Sequence, residues 1–257
     1  MTETQSPAAR PPWLPPPDVI VGTVEFTPAV GARDISRPAR TYTIIHTTEV
    51  DGYEEPPSRD LGPVPQAQTG DKFQGTARKA AKLSIAPGQP QPYSDVKALI
   101  ASLPPDQTMA HHTPPITDTA TSGRVKEEMR NVHVAAFLYA ASKEADNDFH
   151  LMIGTDPKKS PPTIMNMELS GLPPTNSAAY AALKAARDAF KAFFGSHLPG
   201  PTYDFYNPPI PVAIEGSVFF DITHATGQKP GPATLRQYAP TILEVHPLSK
   251  VVFEPQP

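Results

Sequence analysis

Thirty-five prolines stand in a chain of 257 residues, and they limit the fold more than any other feature. Each fixes φ at about −65° and removes a backbone donor. Within a sheet, a proline is therefore confined to a strand's first residue, an edge or a bulge. Such an excess over the ordinary usage of roughly 5% first suggests linkers or disorder. Placement changes that reading. More than half of the prolines precede residue 131, and the rest mostly punctuate loops and helix starts. Among the second-half strands assigned below, only Pro211 and Pro247 fall inside one. The glycines show no three-residue period, which excludes collagen.

Residues 1–123 read as a Pro-rich N-terminal region with short elements. Pro11–Pro17 is an extended polyproline segment around Trp13, either a solvated arm that packs its one Trp or a docking segment for a partner. Val19–Phe26 and the β-branched Arg40–Val50 are strand-like. The polar, Pro-rich stretch from Asp51 to Asp71 reads as a loop. Phe73–Ile85 and Ser94–Leu103 predict short helices, the second capped by Ser94-Asp95 and stopped by Pro104-Pro105. Thr113–Gly123 is a second linker.

Residues 124–257 are more regular. Asn131–Glu144, Phe149–Ile153, Thr163–Ser170, Pro211–Ile222 and Thr241–Glu254 each alternate as strands. A helix opening at Pro173-Pro174 runs to Phe194, with an apolar stripe of Tyr180, Leu183, Ala186, Phe190 and Phe193 or Phe194, and stops at Gly195. Its polar face, Lys184, Arg187, Asp188 and Lys191, is assigned to solvent. Three strands, a helix and two strands is the order of the OB-fold, a five-stranded Greek-key barrel. A ferredoxin-like sheet needs a helix between its first two strands, and here only Ala145–Asp148 separates them. The expected class is mainly β with one helix, an OB-like five-stranded barrel behind the Pro-rich region.

Three segments of that second half carry chemistry: Asp146-Asn147-Asp148-Phe149-His150, Asp221-Ile222-Thr223-His224 and Glu244-Val245-His246-Pro247. Alternation turns Asp148, His150, Asp221, Glu244 and His246 away from the core-facing Phe149, Leu151, Phe220, Leu243 and Val245. In an OB topology the loops after the first and fourth strands lie beside one mouth, so these segments are expected to converge. His150, His224 and His246 are candidate ligands for Zn or Mn, with Asp148, Asp221 and Glu244 as candidate catalytic carboxylates orienting water. A plainer account reads Asp146–Asp148 as turn chemistry and pairs Glu244 with Lys143 or Arg236. Tyr203, Phe205 and Tyr206 either form a stacking platform or pack the loop before the fourth strand.

A net charge of −4 and a second half that is not basic argue against nucleic acid as a partner. The expected partner is a small polar ligand or another protein. Without cysteine, thiolate metal sites and disulfides are excluded. No apolar run reaches the ~20 residues of a membrane span, and no secretory leader opens the chain, so the expected location is the cytoplasm.

The runs DNDFHLMIG, GSVFFDITHATG and LEVHPLSKVVFE resemble a group of functionally uncharacterised bacterial proteins. That group shares D-x-D-(F/Y)-H-L, G-x-x-F-F-D-x-x-H and E-(L/V)-H-P in this order. The resemblance covers Arg124–Glu254 and implies a family without implying an activity. The element order is also similar to the staphylococcal-nuclease branch of OB folds, but that family's catalytic arginines have no counterpart here. The sequence therefore supports two readings: a polar-ligand site with metal-assisted hydrolysis, or a non-catalytic scaffold or interaction module.

Overall fold

The computed structural model describes residues 10–29, 38–51 and 70–255. Apart from its ends, the loop expected between Asp51 and Asp71 lies outside the described residues, as does the start of the chain. The fold is mainly β, one mixed sheet of eight strands. They are β1 (Ile20–Phe26), β2 (Tyr42–Thr47), β3 (Gln91–Tyr93), β4 (Asn131–Lys143), β5 (Phe149–Gly154), β6 (Ile164–Leu169), β7 (Asp204–Phe220) and β8 (Leu243–Phe253). Among the described residues five short or medium α-helices accompany them: α1 (Lys79–Lys82), α2 (Val96–Ala101), α3 (Asp106–Ala110), α4 (Tyr180–Phe194) and α5 (Ala233–Arg236).

Eight strands replace the expected five, because the N-terminal region adds to the sheet. The strand order is β1-β2-β7-β8-β6-β5-β4-β3, and β7 also pairs with β4. Hydrogen-bonded neighbours thus run β4-β5-β6-β8-β7 and return to β4, with β1–β2 attached to the start of β7 and β3 lying parallel to β4. Within this circuit only β6 and β8 are parallel.

Three of the strand prolines sit where the ladder is broken, whereas Pro211 lies inside β7, not at its start, and pairs in register with Phe137. β7 begins earlier than expected and contains Pro208 and Pro209. Its register with β4 jumps from Leu138–Ile210 to Ala140–Phe205, so both prolines sit in a bulge where no donor is missed. Pro247 falls in another bulge, between the pairs Gly216–Leu248 and Val218–Val245. Gly216 makes room for it: a Cβ there would lie 2.6 Å from the Pro247 carbonyl oxygen and 2.6 Å from Val245 Cγ1.

The main core fills the inner face of the strands. Phe149, Leu151, Met165, Met167, Leu169, Val218, Phe220, Leu243 and Val245 all lie in it, as the alternation predicted. Val96, Leu99 and Met109, from α2 and α3, join the same core. Asp95 caps α2 by accepting from the Ala98 amide. α4 starts at Tyr180, later than expected, and packs Phe190, Phe193 and Phe194 against Phe253, with the Phe193 and Phe253 rings stacked at 4.0 Å. Tyr203, Phe205 and Tyr206 are buried as packing residues, which leaves no exposed platform.

Arg187 departs from the solvent face assigned to it. Its guanidinium is buried, lies over the Phe149 ring at 4.8 Å, and donates to the carbonyls of Asn147, Leu169 and Ser170. Periodicity places a helical residue on a face, but it cannot tell which loop ends will come to meet that face.

Candidate metal centre

The outer face of β5, β6 and β8 carries a polar patch in an otherwise apolar setting. β5 contributes His150, β6 contributes Asn166 and Glu168, and β8 contributes Glu244 and His246. The phase follows from the core: neighbours at odd spacing in each strand point inward, so these side chains point outward. Cross-strand register sets His150 opposite Glu168. The bulge at Pro247 follows directly after His246.

Facing outward does not mean facing water here. The N-terminal region and two loops close over the patch. Asp51 follows β2, Lys82 ends α1, Asp146 and Asp148 belong to the β4–β5 turn, and Asp221 and His224 belong to the segment after β7. Asp148, Glu244 and His246 are fully buried, and Asp221, His224, Glu168 and Asn166 are nearly so. The three sequence segments do converge, around a buried centre.

Asp148, Asp221, Glu168 and Glu244 are each anchored through one oxygen. Asp148 Oδ1 accepts from the Gly171 amide, and Asp221 Oδ1 accepts from the Thr223 amide and hydroxyl. Asn166 Nδ2 donates to Oε1 of both Glu168 and Glu244. The second atoms are left over. Asp148 Oδ2, Glu168 Oε2, Glu244 Oε2, Asn166 Oδ1 and both His246 nitrogens are buried and make no hydrogen bond. Glu168 Oε2 and His246 Nδ1 lie only 2.7 Å apart, but not in hydrogen-bond alignment.

His150 is differently employed. Its Nε2 lies 3.0 Å from Glu168 Oε1, while Nδ1 lies 3.3 Å from Asp51 Oδ2 and 3.7 Å from Glu144 Oε1. Burial alone would keep the ring neutral, but Glu168, Glu144 and Asp51 outweigh it and raise its pKa well above the usual range. It is an imidazolium with both nitrogens committed to carboxylates. Lys82 Nζ is likewise buried, 3.5 Å from Asp146 Oδ2. Burial works against its charge, but Asp146, Glu168 and Asp148 retain it.

The carboxylates divide by their neighbours. Burial opposes ionisation of Glu168, yet the His150 and His246 imidazoles hold it well below the ordinary range. Burial and the Asp146 charge push Asp148 well up, and burial with Glu168 and Asp221 does the same to Glu244. His246 is lowered by burial, so it is neutral and keeps a lone pair.

Among the described residues two groups of potential ligands result, Asp148–Glu168–His246 and Asp221–His224–Glu244, each with one ligand atom per residue, all within 4.8 Å of one another. The expected trio of histidines is thus split: His246 falls in one group, His224 in the other, and His150 in neither. Asp148, Asp221 and Glu244 sit among the ligand atoms themselves. Glu168 and Asn166 join the centre without being among the sequence candidates, although their alternation with Met165, Met167 and Leu169 marks them as an outward polar pair. Lys82 and Asp51 carry no signal in the sequence, because only chain packing brings them in.

No family model, no curated protein and no solved structure matches this chain.

Proposed function

We propose that this protein binds a divalent cation, Zn or Mn, through Asp148, Glu168 and His246, and uses it to hydrolyse a small polar ligand. The observation that carries the proposal is the set of orphaned ligand atoms. An unsatisfied buried polar group costs about 1–3 kcal/mol. Several together would consume much of the ~5–15 kcal/mol by which a domain is stable. A cation removes that cost at one stroke, using a neutral imidazole and hard oxygen donors. When bound, it would supply a polarised water. The chain's own part is to hold the donors: Gly171 fixes Asp148, His150 and Asn166 fix Glu168, and Phe219 packs on the His246 ring at 5.2 Å.

The circuit β4-β5-β6-β8-β7, with α4 between β6 and β7, supports an OB-like barrel as the scaffold. On that reading the site occupies the outside of the barrel wall beside its first and last loops. The motif resemblance adds support, since all three shared motifs supply residues of the centre.

The test is elemental analysis of the purified full-length protein, followed by assay against phosphate esters, carboxylic esters and amides. About one or more equivalents of Zn or Mn is expected, lost in Asp148→Asn and His246→Gln, with turnover that a chelator abolishes. A wild type that neither contains nor takes up metal sinks the proposal. A second reading, a non-catalytic scaffold, is favoured by burial: Lys82 and Asp51 lock the N-terminal region onto the same centre. Metal binding without turnover would select it.

A further inference from the structure

We infer that the centre holds two cations, the second between Asp221, His224 and Glu244. This rests on reading the site as a metal centre and adds a separate position to it. Three observations place it there. First, Glu244 is wholly buried, and its Oε2 has no hydrogen bond while Oε1 is held by Asn166. Second, His224 Nδ1 lies 2.9 Å from the Gln228 carbonyl oxygen. A carbonyl only accepts, so Nδ1 is the donor there, and Nε2 is the ring atom turned toward the group. That backbone partner is the usual outer support of a metal-binding imidazole. Third, His224 Nε2 faces Asp221 Oδ2 at 3.7 Å, and Asp221 spends its other oxygen capping the turn after β7.

The two positions adjoin: Glu244 Oε2 is 3.8 Å from His246 Nδ1, and Asn166 bridges Glu244 to Glu168. Paired cations of this kind stabilise both the attacking and the leaving oxygen of a displacement.

The experiment titrates metal-stripped full-length protein with Mn²⁺ and, separately, Zn²⁺, and counts bound equivalents. Asp221→Asn and Glu244→Gln serve as variants, because each retains the anchored oxygen and changes only the ligand charge. Two equivalents in the wild type, falling to one in either variant, are expected. Mn²⁺-loaded wild type should also give the paramagnetic resonance spectrum of a coupled pair, a readout that needs no variant. One equivalent in the wild type overturns the second position, whether or not the variants lose it. Two equivalents retained in both variants overturn it as well. No binding at all overturns this inference together with the proposed function, whereas one equivalent lost only in Asp148→Asn leaves that function standing.

Discussion

His150 and His246, ninety-six positions apart, meet on a single carboxylate. Glu168 gives one oxygen to His150 Nε2 at 3.0 Å and sets the other 2.7 Å from His246 Nδ1. The two rings shift in opposite directions: at His150 the Glu168, Glu144 and Asp51 carboxylates outweigh burial and raise the pKa, whereas at His246 burial wins over Glu168, with the Lys82 charge beside it, and lowers it. Glu168 therefore organises the centre, and its charge should matter more than its shape. Glu168→Gln is expected to lose about 3 kcal/mol of stability, as a buried pair does when one partner is neutralised. Urea unfolding measures this. An unchanged midpoint would show that the two rings do not depend on that charge.

Gly216 should matter to the centre although it touches no ligand. A methyl at this position collides with the Pro247 carbonyl and Val245 in the bulge adjoining His246. Gly216→Ala is expected to cost about 1–3 kcal/mol and to weaken metal uptake. Gly200→Ala, which meets nothing within 4 Å, is the control. Equal behaviour of the two variants in thermal melts and metal titration would refute the steric account.

Arg187 offers a test of the scaffold apart from the metal. Its Nη1 donates to three carbonyls around the ends of β5 and β6 while Nη2 reaches Asp71, and the single nitrogen of a lysine cannot hold both sets. Arg187→Lys is expected to destabilise the fold by roughly 2–3 kcal/mol. A loss below ~0.5 kcal/mol, the scale of ordinary surface changes, would return Arg187 to the solvent-facing role that helix periodicity gave it.

Asp71 sets a pH dependence. Burial raises its pKa, but the Lys191 hydrogen bond and the Arg187 charge outweigh burial and leave it below the ordinary 3.8. The unfolded chain therefore takes up this proton first as the medium is acidified. The stabilisation is complete above that ordinary value and disappears as pH falls through the folded one. Asp71→Asn should be less stable than wild type at neutral pH by about 0.5–1 kcal/mol, given its partial exposure. The gap should narrow below pH 3.8. Denaturation curves at pH 7 and pH 3 compare the two, and a gap that widens in acid contradicts the assignment.

Strand phase was legible in the sequence because it is local. Alternation of apolar and polar residues along and just beside β5, β7 and β8 turned Asp148, His150, Asp221, Glu244 and His246 away from the core, and Pro247, read as an edge or a bulge, lies in a bulge. What alternation cannot supply is the environment on the far side of the strand. The sequence suggested a polar mouth open to ligand. The tertiary fold covers that face with Asp51, Lys82 and the β4–β5 turn, and burial then decides the chemistry.

The same division separates the histidines. As residues they look equivalent, each beside a carboxylate in the chain. Only packing makes His150 a cation between Asp51, Glu144 and Glu168, leaves His246 neutral, and sends His224 to a second group. The sequence by itself determined the β character of the second half, the inward and outward faces, and the residue types able to bind metal. The tertiary structure decided which of them stand together and which are charged. Proximity and desolvation arise from contacts between segments far apart in the chain, and they set pKa values that no local pattern encodes.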